Sequence, residues 1–143
     1  MKIIGLAADH AGFALKERIK NQLIIQGYTV TDFGTHSDES IDYPDLAHPL
    51  ASALERGDVA LGIALCGSGN GINMTLNKHP GIRSALCWMP EIAVLARKHN
   101  DANICALPAR FITFERSLQI INAFLNTPFE GGRHQRRVEK IPC

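Results

Sequence analysis

Eight consecutive residues, Val59 to Cys66, carry nothing more polar than a terminal thiol, and they break into Gly67-Ser68-Gly69-Asn70-Gly71. So short and apolar a run suits a strand buried on both faces, which belongs in a parallel sheet with helices above and below it. Similar runs alternate with longer amphipathic stretches along the whole chain, the order that builds an α/β fold. Lys2 to Ala7 reads as the first strand. The helix after it places Leu15, Ile19 and Leu23 on one stripe and leaves Lys16, Glu17 and Lys20 off it, with Gly27 set to end it. A second strand, Thr29 to Phe33, runs into the polar stretch 34–42, and Pro44 opens a helix ending near Arg56. After the glycine loop the sequence predicts a short helix over Ile72 to Lys78 and a strand over Ile82 to Trp88. Pro90 starts another helix, and Ala102 to Leu107 forms the fifth strand. Thr113 then caps a helix carrying Leu118, Ile121 and Leu125. The polar tail holds Gly131-Gly132 and then Arg133-His134-Gln135-Arg136-Arg137.

Size and charge narrow the function classes. At 143 residues the chain makes a single domain, 1–143, with 126–143 as a C-terminal arm. A net charge of +1 supplies no global field for nucleic acid or an anionic membrane, so anion binding must be local. No apolar run approaches the roughly 18 residues that a membrane span needs, and the start lacks a signal-peptide pattern, so a cytoplasmic protein is expected. The cysteines at 66, 87, 105 and 143 form neither a C-x-x-C pair nor a metal-ligand spacing and are expected as reduced thiols.

In an open α/β sheet, ligands bind outside the carboxyl ends of the strands. The first strand ends at Asp9-His10, the third at Cys66 with its glycine loop, and the fourth leads through a helix to His99-Asn100-Asp101. Glycines at 67, 69 and 71 let a ligand approach closely and turn their amides toward an anion. The loop is neither a Walker loop nor a dinucleotide fingerprint, since no Gly-Lys-Ser/Thr follows and position 72 is Ile. Cys66, at the strand-to-loop junction, suits an acid/base or a nucleophile, whereas Cys87 and Cys105 read as inert core. Ser68 either hydrogen-bonds a substrate oxygen or caps the loop. His99 falls on the stripe of Ile92, Leu95 and Ala96, facing inward near the helix end, where it lines one crevice with Asp9 and His10. In the tail, Arg133 and Arg137 lie one helical turn apart with His134 beside them, a compact phosphate clamp on an arm able to reach a neighbouring subunit. Arg110, after the fifth strand, is placed to assist. His36, His48 and His79 read as surface residues.

Taken in order, Asp9-His10-Ala11-Gly12, Asp42-Tyr43-Pro44, Cys66 to Gly71, Asn77-Lys78, Gly81-Ile82-Arg83, His99-Asn100 and Gly131 to His134 resemble the ribose-5-phosphate isomerase type B family. That family includes galactose-6-phosphate and allose-6-phosphate isomerases. The resemblance runs end to end and implies a three-layer α/β/α Rossmann-like domain with a five-stranded parallel sheet. It also implies chemistry without metal or cofactor, a small sugar phosphate as substrate, a place in the pentose phosphate pathway, and a homodimer or homotetramer. Its active sites would borrow the C-terminal arm of the partner. Cys66 matches the family's enediol base, and His99 with Asp9 the groups that open the sugar ring. Ser68 stands where many members have threonine. Tyr43, Gly67, Gly69, Asn70, Gly71 and Asn100 match substrate-lining positions. His10, Arg110, Arg133, His134 and Arg137 match those around the phosphate, the last three from the partner. Asn73-Met74-Thr75-Leu76 departs from the small residues usual there, which bears on packing or on substrate length.

The residues agree with that chemistry. Moving a carbonyl between two carbons needs one group to carry a proton across and donors for the enediolate oxygen. The alternatives are an isomerase of a six-carbon sugar phosphate, a non-catalytic phosphosugar sensor, and a thiol hydrolase using Cys66 with His99.

Overall fold

The structure is a computed structural model, and residues 2–143 are described. Five parallel strands, β1 (Ile3–Ala8), β2 (Thr29–Asp32), β3 (Leu61–Cys66), β4 (Ser84–Leu86) and β5 (Ile104–Pro108), form one sheet in the order β2-β1-β3-β5-β4. Six helices connect and follow them: α1 (Phe13–Ile25), α2 (Tyr43–Arg56), α3 (Asn70–Leu76), α4 (Pro90–Asn100), α5 (Phe114–Asn126) and α6 (Arg133–Glu139). Pro44 and Pro90 sit in the first turns of α2 and α4, where a missing N–H costs nothing. Thr113 caps α5 as its sequence predicts, its hydroxyl accepting the Arg116 amide at 3.1 Å.

Strand alternation divides the core into two layers. Ile4, Leu6, Ile63, Leu65 and Leu107 face α1, α4 and α5 through Ile19, Leu23, Ala93, Ile120 and Phe124. Ala7, Ala64, Cys66, Ile104 and Ala106 face α2 and α3 through Leu46, Leu50, Ile72 and Leu76. The three-layer α/β/α reading of the sequence therefore holds.

Several local expectations do not. Lys16, which the apolar stripe of the sequence leaves out, is fully buried with Ile19 and Leu23, while Leu15 on that stripe is only half-buried. Positions 16, 19 and 23 share one face of a helix, and burial follows that face because Asp32 supplies the countercharge. Lys16 Nζ donates to Asp32 Oδ2 at 2.6 Å and to Glu17 Oε2 at 2.8 Å. Burial pushes the Asp32 carboxyl up, but Lys16, the Gly34 amide and Lys20 together outweigh it and hold the group below the usual carboxylate range. β4 is shorter than the predicted Ile82–Trp88 because side chains take over its ends: Asn103 Oδ1 accepts the Arg83 amide, and the Asn77 side chain pairs with both backbone groups of Ser84. On α4 the buried positions are Ala93 and Ala96, whereas Leu95 is exposed. On α5, Leu118 is half-buried, and Ile120 and Phe124 carry the core contact in its place.

Candidate active site

The chain leaves β1 toward β2 on one side and, from β3, continues toward β5 and β4 on the other, so the switch point lies between the carboxyl ends of β1 and β3. Asp9 and Cys66 flank it. Ala8 is in register with Leu65, which puts the next residue of each strand side by side, and the Asp9 amide donates to Leu65 O at 3.2 Å. Asp9 is 6% exposed and Cys66 5%, each just below the surface of the crevice. Asp9 Oδ1 accepts the amides of Ala11 at 3.0 Å and Gly12 at 3.3 Å, which fixes the carboxylate and leaves its second oxygen free of protein partners among the described residues. The buried Lys16–Asp32 pair steadies the same edge: Asp32 Oδ1 accepts the Gly34 amide, and Gly34 O in turn accepts the Ala8 amide at 2.8 Å.

The glycine loop wraps the crevice at close quarters. At Gly71 a Cβ would lie 2.4 Å from the Tyr43 ring, so only glycine lets that ring, at the start of α2, close down on the loop. Gly69 turns the chain into α3 with φ +78°, and a Cβ there would strike Leu86 at 2.4 Å. The Arg110 guanidinium lies over Gly67, 3.2 Å from where its Cβ would be, and the Arg110 amide bonds Gly67 O. Ser68 Oγ accepts the Asn70 amide at 3.3 Å, the loop-capping arrangement of its two expected roles. His10 Nδ1 stands 3.2 Å from both backbone polar atoms of Ile41, which ties the Asp9-His10 turn to the segment before Tyr43. In the divergent Asn73–Leu76 stretch, the Thr75 hydroxyl donates to Gly71 O at 2.9 Å and braces the loop, Leu76 is buried, and Met74 stands exposed.

His99 is elsewhere. α4 begins beyond the carboxyl end of β4 and returns antiparallel to the strands over 11 residues, about 16 Å. Its C-terminus is pinned at the amino edge, where Arg83, just before β4, donates to Asp101 O at 2.9 Å. The sequence expectation that His99 shares a crevice with Asp9 and His10 of its own chain is therefore corrected: the connection places them at opposite edges of the sheet. At the amino edge His99 meets the arm. Its ring stacks on His134 with centroids 4.2 Å apart and 11° between planes. Arg97 Nε donates to Thr127 O, and the Glu130 amide donates to Lys98 O, so the chain after α5 is laid along the end of α4. Asn100, Arg133 and Arg137 are exposed here, and neither arginine makes an ion pair among the described residues. Burial, then the neighbouring His99 and Arg133, hold His134 below the ordinary histidine value, with Glu130 opposing them.

The sequence reading passed over Glu130 altogether. Its signal was the spacing Glu130-x-x-x-His134 around two glycines, which a helical periodicity search overlooks. It also treated His48 and His79 as unconnected surface residues, whereas His48 Nδ1 lies 2.7 Å from His79 Nε2 and His79 bonds Glu55. A cleft of about 430 Å³ between the α3–β4 turn and residues 138–143 lies at the amino edge and does not include Cys66. Near the glycine loop, Tyr43 over Gly71, Met74 on α3 and Phe111 next to Arg110 are each exposed.

A crevice at the switch point of a parallel sheet, wrapped by a glycine loop, places the molecule among the open α/β proteins, in which ligands bind at this edge. Within that class the chain belongs to the Ribose/Galactose Isomerase family, whose sequence profile matches residues 4–141. It is 45% identical over 141 residues to ribose-5-phosphate isomerase B of Escherichia coli (strain K12), covering 99% of this chain and 95% of that one. The crystal structure of a ribose 5-phosphate isomerase from Thermotoga maritima superposes with a TM-score of 0.97 at 48% identity, covering 98% of this chain and 97% of that one. A ribose-5-phosphate isomerase B from Mycoplasma genitalium, solved with bound ribulose-5-phosphate, gives 0.92 at 41% identity over 97% and 93%. No helix among the described residues is long and apolar enough to cross a membrane.

Proposed function

We propose that the chain interconverts ribose 5-phosphate and ribulose 5-phosphate through an enediolate. The observation that carries this reading is the pairing of Asp9 and Cys66 at the switch point, beside a loop whose glycines let Arg110, Leu86 and Tyr43 close down around the crevice. Cys66 takes the proton from C2 of the aldose and returns it to C1. Loop amides from 67 to 71 face the oxygen that gains charge; a well-aimed donor of this kind is worth about 3 kcal/mol in the transition state. Ribose 5-phosphate rests as a closed ring, so a second acid/base must work at the ring oxygen. Asp9 holds one side of it, and His99 serves the other.

Because His99 and Cys66 of one chain lie at opposite edges, the complete site is formed between two copies. One copy supplies Asp9, His10, Tyr43, the 66–71 loop with Ser68 and Asn70, and Arg110. The second supplies His99, Asn100, Arg133, His134 and Arg137. The unpaired arginines and the exposed apolar rim at Tyr43, Met74 and Phe111 support this arrangement, since a dimer would bury the rim and bring the arginines to the phosphate. Steady-state assays on ribose 5-phosphate, allose 6-phosphate and galactose 6-phosphate test the substrate. The highest kcat/KM is expected on ribose 5-phosphate. A higher value on a six-carbon substrate would transfer the assignment to it, and binding without turnover of any would leave a sensor.

A further inference from the structure

We propose that His99, Glu130 and His134 form a site for one borderline divalent transition cation of the Zn²⁺ type, and that its occupancy stops turnover by engaging both histidines. One nitrogen or oxygen from each residue lies within 4.8 Å of the other two, and Glu130 Oε1 stands 3.8 Å from His134 Nε2. A tetrahedral zinc ion with bonds of about 2.0–2.1 Å sets its ligand atoms about 3.4 Å apart, so the three must draw together and the His99 ring must rotate to bind it.

A second observation points to a ligand. His134 is 4% exposed, and its Nε2 is buried without any hydrogen-bond partner among the described residues. An orphaned imidazole nitrogen beside a carboxylate and a second imidazole is a donor set awaiting an acceptor.

The cluster is also pre-positioned by the backbone. The Glu130 amide is bonded to Lys98 O, one residue before His99. Gly131 and Gly132, at φ +73° and +58°, then reverse the chain so that His134 enters α6 over the His99 ring. The stacked rings hold their nitrogens side by side, and coordination requires His99 to turn. No hydrogen bond holds the His99 ring among the described residues, and the Glu130 side chain is 47% exposed, so both are free to adjust. Two imidazoles and one carboxylate select zinc, cobalt or nickel over magnesium and calcium, which prefer oxygen ligands. The fourth position stays open to water or to a substrate oxygen.

Cation binding stands on the cluster alone, and only its effect on turnover rests on the isomerase reading. Calorimetric titration of full-length Cys66→Ala/Cys143→Ser protein with zinc chloride in phosphate-free buffer removes the competing exposed and crevice thiols. One equivalent per chain is expected, with no heat from magnesium chloride. Adding Glu130→Gln is expected to weaken binding at least about tenfold, and His134→Asn to do the same. In the wild-type protein, turnover is expected to fall in step with occupancy and to return with a chelator. Glu130→Gln in the wild-type background should keep metal-free turnover and need at least about tenfold more zinc for half-inhibition. No zinc uptake by the Cys66→Ala/Cys143→Ser protein, or uptake indifferent to Glu130→Gln, overturns the site. Uptake with the expected stoichiometry but undiminished turnover overturns the inhibitory effect and removes His99 and His134 from the catalytic step. Absence of turnover in metal-free wild-type protein defeats the isomerase reading and leaves the cation site standing.

Discussion

At the carboxyl edge of the sheet, Asp9, His10 and Ser68 each find hydrogen-bond partners inside the chain, and Tyr43 is seated on Gly71. At the amino edge, His134 Nε2 has no partner, and Arg133 and Arg137 stand free of ion pairs among the described residues. In the proposed reading the first edge is the finished half, carrying the Cys66 thiol and Asp9, and the second adds the phosphate grip of Arg133 and Arg137 together with His99. One polypeptide makes both halves and cannot bring them together, because α4 and α5 each return the chain across the full height of the sheet.

Breaking the finished half should have the largest effect. If Cys66 carries the proton, as proposed, Cys66→Ala should lower kcat by about 10²–10⁴-fold with phosphosugar affinity nearly unchanged, as read by steady-state kinetics and equilibrium binding. Removing the grip should show the opposite pattern. A chain ending at Phe129 keeps all five strands and α1 to α5, so its circular dichroism should remain native. Losing two charge-assisted bonds should raise the substrate dissociation constant at least about a hundredfold.

The Lys16–Asp32 pair distinguishes support from chemistry. Asp32→Asn leaves a buried ammonium with Glu17 as its main partner, and urea denaturation should show a loss of about 3 kcal/mol. Because the folded-state Asp32 carboxyl is held below its ordinary value, this contribution is complete above the unfolded value of about 3.9 and fades as pH falls through the folded one. The stability gap between wild type and Asp32→Asn should therefore be constant near neutrality and close only in acid. Thr113→Ala, which removes only the α5 cap and touches none of the proposed site residues, should cost about 1 kcal/mol of stability and leave kinetics unchanged.

What was legible in the sequence follows the range of the forces that wrote it. Val59–Cys66 and the glycine loop were readable because burial on both faces and a tight strand-to-helix turn each leave a local mark. Thr113, Pro44 and Pro90 were readable for the same reason. Lys16 was misread because the apolar stripe leaves a charge out, although its spacing from Ile19 and Leu23 is that of the buried face and its partner lies 16 residues away. His99 was placed in the wrong crevice because helical spacing says which face a side chain occupies, not which edge of the sheet the helix end reaches. The Glu130–His134 contact depends on two left-handed glycines, a geometry with no periodic signature.

The division of the site between two copies is tested most directly by mixing two inactive full-length variants, Cys66→Ala and His99→Asn, with subunit exchange followed by mass. If each site takes its thiol from one copy and its histidine from the other, a mixed dimer holds one site with both defects and one with neither. Equal mixing should then restore about a quarter of wild-type specific activity, since about half the dimers are mixed and each has one complete site of two. Activity no greater than the sum of the parents, with exchange complete, would mean that Cys66 and His99 serve the same chain's site, contradicting the two-copy arrangement.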